Sequence, residues 1–171
     1  MSLQLDGTNG VLGNSGAFIQ GTAVASTSGT SIDFTSIPSW VKRVTVMFNN
    51  VSTNGTSQPL IQIGSGSVDS TGYISTATYV PGGGGSTATA GFLIGSGSGG
   101  AADTRNGTVI LTLLGSNIWT FSGALTLFES TYYIITVAGS KTLSGTLDRV
   151  RITTVNGTDT FDAGSINILY E

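Results

Sequence analysis

Apolar and polar residues alternate with a period of two along most of this chain, and the pattern is cleanest towards its end. In residues 143–171, LSGTLDRVRITTVNGTDTFDAGSINILYE, Val150, Ile152 and Thr154 fall on one face, with Arg149, Arg151 and Thr153 on the other. A half-buried β-strand requires this alternation. Asn156-Gly157 then supplies a backbone tolerant of positive φ, and Asp159 and Asp162 are natural turn residues. Ile166, Ile168 and Tyr170 next alternate with Ser165, Asn167 and Leu169 in a closing strand.

Earlier in the chain, Ile32, Phe34 and Ile37 run up to Pro38, after which Trp40, Val44, Val46 and Phe48 share a face opposite Val41, Arg43, Thr45 and Met47. The blocks WVKRVTVMF and LDRVRITTV space their basic and apolar positions alike. They are either neighbours across a Greek-key connection or two answers to one pattern. Ile61 and Ile63 mark a short strand that Pro59 places at an edge, and residues 72–80 read as another. Further on, VILTLLG, NIWTFSGALTLFE and TYYIITVAG are short β-rich runs bounded by Gly, Ser or Asn, at the spacing of sandwiches and barrels. No 10-residue stretch has helical period. The expectation is an all-β domain, an antiparallel β-sandwich with jelly-roll-like connections.

Two regions break the pattern. Residues 1–20 set Leu3, Leu5, Val11 and Leu12 among glycines, too irregular for an independent unit; they read as an extended arm preceding a domain over residues 21–171. Such an arm needs a partner surface to order it. Residues 81–107, PGGGGSTATAGFLIGSGSGGAADTRNG, read as a mobile surface loop in which only Phe92, Leu93 and Ile94 are candidates for packing.

Composition narrows the function classes. A chain of 171 residues suffices for one domain with its own core. Only 9% of residues are charged, against about 25% in ordinary soluble proteins, so the polar surface must be Ser, Thr, Asn, Gln and Gly. A net charge of −3 with scattered basic residues gives no footprint for nucleic acid. No run of 18 apolar residues marks a membrane span, and the N-terminus has no secretory pattern. Without cysteine or histidine, disulfides, thiol chemistry, Ser-His-Asp catalysis and the common zinc sets are excluded. No cofactor is implied. Asn-x-Ser/Thr sequons at Asn50, Asn54, Asn106 and Asn156 read as turn chemistry.

Candidate chemistry is sparse. Gly95–Gly100 spells G-x-G-x-x-G, but no helix follows to receive a pyrophosphate. Asp159 with Asp162, alongside Asp148, is the best carboxylate cluster, and it raises a glycosidase pair or a calcium site against the ordinary role of Asp in capping turns. Tyr73, Tyr79, Trp119 and Tyr132 lie in or near strands as candidate glycan-contact faces, with alternation assigning roughly half of such aromatics to the core.

The blocks GTAVASTSGTSIDFTSIPSWVKRVTVMF (residues 21–48) and KTLSGTLDRVRITTVNGTDTFDAGSINILYE (residues 141–171) resemble a recurrent family of virion proteins of tailed phages and prophages. Its members occur as small free-standing proteins or as fibre tips. The opening LQLDGTNGV resembles segments preceding such tips, and Thr112 to Leu114 also fit; together these cover about two fifths of the chain, with no match over residues 56–106. The resemblance implies a non-enzymatic virion-surface component and makes three the expected number in a homo-oligomer that the scarcity of charge itself predicts. The apolar Leu3, Leu5, Val11 and Leu12 among glycines mark the arm as the segment attaching it to other virion proteins, and the strand aromatics raise a host surface glycan as a further partner. Its role is a displayed fibre or adhesin module, or alternatively a capsid decoration (cement or head-fibre) protein. A glycan-active enzyme is a distant third.

Overall fold

A computed structural model of the chain describes residues 4–6, 10–12, 18–80, 84–97, 99–101 and 103–171, and among them there is no helix. The strands are β1 (Gln4–Asp6), β2 (Gly10–Leu12), β3 (Ile19–Gln20), β4 (Val24–Ala25), β5 (Ile32–Thr35), β6 (Arg43–Thr53), β7 (Pro59–Ser65) and β8 (Ser67–Val68). They continue with β9 (Ile74–Val80), β10 (Gly85–Ala88), β11 (Phe92–Leu93), β12 (Thr104–Gly115), β13 (Ile118–Phe128), β14 (Tyr132–Thr142), β15 (Arg149–Thr154) and β16 (Phe161–Tyr170). A large antiparallel sheet has the order β10-β9-β14-β13-β12-β6-β16-β3, with β4 also on β16. A smaller one runs β11-β7-β15-β5, with β8 on β7, and β1 pairs with β2.

The two larger sheets pack face to face, and period-two alternation decides which side of each strand is buried. From the large sheet Val44, Val46, Val109, Leu111, Phe121, Leu125, Ile135 and Ile168 point inward. Leu60, Ile61, Ile63, Val150 and Ile152 of the small sheet meet them in one continuous core. Each such side chain contributes about 1.5–3 kcal/mol when fully buried. Strands β12, β13 and β14 form a plain up-and-down meander. Elsewhere the chain crosses between sheets, so that β6 lies between β12 and β16 although β16 comes last in sequence. This makes the final strand an internal member of the large sheet.

Several expectations need correction. The blocks WVKRVTVMF and LDRVRITTV are not neighbours: β6 belongs to the large sheet and β15 to the small one. Strand β7 is flanked on both sides, by β15 and by β11; Pro59 is tolerated because it stands first in the strand. Strand pairing with β16 also reaches back before residue 21, to Ile19 and Gln20 opposite Tyr170 and Leu169.

Part of the Gly-rich stretch is packed into the core rather than lying on the surface. Residues 91–96 are all buried, with Phe92 stacked on Phe121 at 4.6 Å between ring centroids and edge-on to Tyr73 at 4.9 Å. Glycine makes this threading possible where backbones meet. A Cβ on Gly139 would run into the Ile74 carbonyl and the Phe92 ring, and one on Gly91 would press on Leu60.

Candidate functional site

The three candidate carboxylates are each tied into local structure. Asp148 receives Arg149 Nε at 2.7 Å and the Gly66 N–H at 3.0 Å. The Arg149 guanidinium, helped by that N–H, holds its carboxyl below the usual aspartate range. Asp159 accepts the Ser57 N–H at 2.9 Å and Asn156 Nδ2 at 2.6 Å, which fixes the 154–160 turn against the β6–β7 connection. Asp162 accepts the Ser52 hydroxyl. Among the described residues no three His, Cys, Asp or Glu side chains converge as a metal ligand set. Asp148, Asp159 and Asp162 therefore do not converge as one ligand set: Asp148 precedes β15, Asp159 lies in the turn before β16, and Asp162 stands within β16.

The aromatic residues divide sharply. Trp119 and Tyr73 are each 2% exposed, so neither offers a ring face to a sugar. The Tyr73 hydroxyl accepts the Ile63 N–H at 2.8 Å and lies 2.9 Å from the Asp69 carbonyl. Burial pushes its pKa well above the ordinary tyrosine value. Tyr79 is half-buried against Tyr133, ring centroids 5.6 Å apart, and packs on the core. Tyr132 alone of the four has an open ring, 72% exposed, beside Phe128 at a centroid distance of 4.7 Å. The core assignments of Tyr73 and Trp119 follow from the strand register, which a sequence with unknown strand ends does not fix. The proposed attachment side chains Leu3, Leu5, Val11 and Leu12 lie outside the described residues, although the backbone pairs Leu5 with Val11.

Two buried cations were not picked out by sequence pattern. Lys141 Nζ lies 2.9 Å from Asp69 Oδ2, donates to the Thr71 carbonyl at 2.9 Å and sits over the Tyr73 ring. Together Lys141, Asp69 and Tyr73 lock the β7–β9 connection onto β14. Arg105 is 3% exposed. Its Nη1 donates to the Asp103 carbonyl at 3.3 Å, while Nε has no hydrogen-bond partner among the described residues. Desolvation lowers its pKa, opposed in part by the nearby Asp103 charge. Neither cation is presented to solvent, and alternation in β12 and β14 is the only signal that could have placed them inward.

What remains for function is surface. A shallow groove of about 540 Å³ runs beside β9 and β10, lined by apolar parts of Ile74, Ala88, Ala90 and Val155. Wider than the groove is the outer face of the large sheet. Register aligns Met47, Thr108, Ala124, Thr136 and Thr78 in one transverse row. A second row runs from Thr45 through Ile110, Ser122 and Ala138 to Thr76. At one end stand exposed Val80, Ile134, Phe128 and Tyr132. A face this wide with so little charge is suited to contact with protein. Comparison of the chain with protein-family models, with curated proteins and with solved structures finds no match.

Proposed function

We propose that the chain is a non-enzymatic structural component of a tailed-phage virion, a fibre or adhesin-type β domain displayed on the particle surface. The sequence blocks at residues 21–48 and 141–171 support this reading through their resemblance to such proteins. The observation that carries it furthest is the outer face of the large sheet, whose central rows from β6 to β9 carry no charge. A module that works by packing within an assembly needs such a face, whereas an ordinary soluble surface intersperses charge throughout. The assembly is a homo-oligomer, with three the number that the resemblance brings, attached to other virion proteins through the N-terminal arm. Of the four candidate aromatic rings Tyr132 alone is exposed, so a host surface glycan would meet Tyr132 only in an assembly that leaves that end of the sheet open.

Gold-labelled antibody against the chain, viewed on intact particles by electron microscopy, tests the reading. Label at the tail extremity is the expected result. Label spread over the head would replace it with the capsid-decoration reading, and no label on particles would remove the virion role altogether.

A further inference from the structure

We propose that the outer face of the large sheet is a homomeric interface, packing on the same face of a second copy of this chain. This rests on the self-association within the proposed function and assigns it a surface and a symmetry.

The first argument is where the charges are. Across the rows from β6 to β9, the ionic side chain on the large sheet's outer face is Arg43, at one corner, where it pairs with Glu171 at 3.0 Å. The small sheet does the opposite. On its outer face Arg151 pairs with Asp33 at 2.6 Å, and Arg149 with Asp148 at 2.7 Å. With only six basic and nine acidic residues to place, the chain keeps charge out of the middle of this face, while the small sheet's outer face carries two ion pairs. A face meeting its own copy gains from this, because any charge near the centre would meet a like charge or be left buried and unpaired.

The second argument is area. Strands lie about 4.8 Å apart and same-face residues about 6.8 Å apart along a strand. From β10 to β16 the sheet therefore spans about 30 Å across its strands. Along them, the face from Arg43 and Ile74 at one end to Phe128 and Tyr132 at the other covers a similar distance. The resulting face of roughly 800 Å² matches the area that each partner gives to a stable protein–protein interface. Val80, Ile134, Phe128 and Tyr132 form a contiguous apolar end to it, since Ile134 pairs with Val80 and Tyr132 with Phe128. Apart from Met47, Ile110 and Ile74, the middle of the face is mostly Thr, Ser and Ala, short side chains that lose little rotamer freedom on burial. One face packed on the same face of a second copy closes with two copies about a two-fold axis, so the expected species is a dimer rather than a trimer.

Ala124 and Thr136 are exposed cross-strand partners near the middle of the face. Sedimentation equilibrium of the full chain is compared with Ala124→Glu and Thr136→Glu, with Thr35→Glu on the outer face of the small sheet as control. The expected result is a wild-type dimer, about a hundredfold weaker self-association in each of the first two variants, and an unchanged control. All variants should keep the wild-type circular dichroism spectrum, because each site faces outward. A wild type that stays monomeric at micromolar concentration overturns both this interface and the self-association it rests on; should host polysaccharide then perturb Tyr132, the face belongs to glycan. An oligomer whose mass survives both substitutions leaves self-association standing and overturns the face. A trimer that dissociates on the same substitutions keeps the face and overturns the two-fold geometry.

Discussion

Tyr73 illustrates how much one polar atom can matter inside this sandwich. Its ring is packed edge-on to Phe92 and its hydroxyl takes the Ile63 N–H inside the core. Tyr73→Phe would keep the ring but leave that buried N–H without its partner. A loss of about 1–3 kcal/mol in stability is expected by urea unfolding. Arg105 should behave in the opposite way. Its buried guanidinium makes no ion pair with a carboxylate among the described residues and leaves Nε unsatisfied. Arg105→Met removes the desolvation cost while filling most of the volume, so the variant should be as stable as the wild type or more so. A clear fall in its urea midpoint would show that the guanidinium stabilises the loop above it. Asp148 supplies the pH dependence. Its folded pKa lies below the unfolded value, so its stabilising effect is present above the ordinary aspartate pKa and lost as pH falls through the lowered one. Asp148→Asn should flatten the acid limb of a thermal-unfolding series against pH and leave the neutral region less stable.

At the scale of elements, legibility in the sequence tracked regularity. β15 and β16 were readable because Val150, Ile152, Ile166 and Ile168 alternate without interruption, and all four are core residues. The segment containing β10 and β11 was not, because its packing uses glycine, which carries no hydrophobic signal. Phe92, Leu93 and Ile94 were recognisable as candidates for packing. That the flanking Gly91, Gly95 and Ser96 are buried with them depends on backbone approaches that composition cannot express. Register was the other limit. Which of Tyr73, Tyr79, Trp119 and Tyr132 faces the core depends on strand ends, and a slip of one residue reverses every assignment. The close approach at Gly139 gives this scale its own test. Gly139→Ala would push a methyl into the Ile74 carbonyl and the Phe92 ring at the junction of β9, β11 and β14. Overpacking of that kind costs about 1–3 kcal/mol. Gly157→Ala meets no neighbour within 4 Å and strains only its own turn, at φ +67°. The first variant should fall in thermal midpoint further than the second, and equal shifts would mean that Phe92 has room to move.

For the whole molecule the question is what the two ends of the chain do. Ile19 and Gln20 pair with the end of β16, the Gly21 N–H donates to the Ile168 carbonyl at 2.7 Å, and Val24 with Ala25 pair further along the same strand. The chain is thus sewn to the sheet from residue 19 onward, and removing residues 1–20 would take part of the domain with it. A cut after residue 17 avoids that. It leaves β3, the ion pair of Arg43 with Glu171 and the whole core in place, while deleting Leu3, Leu5, Val11 and Leu12. Those four side chains would contribute about 1.5–3 kcal/mol each if fully docked on another protein, and the glycines between them make the free segment costly to order. Attachment through this segment predicts that the truncated chain keeps its unfolding midpoint and its oligomeric mass, yet no longer co-purifies with particles when supplied in trans. Normal incorporation of the truncated chain would move attachment to the sandwich itself, with the outer face of the large sheet first in line. A lowered midpoint would mean that the hairpin of β1 and β2 serves its own domain instead.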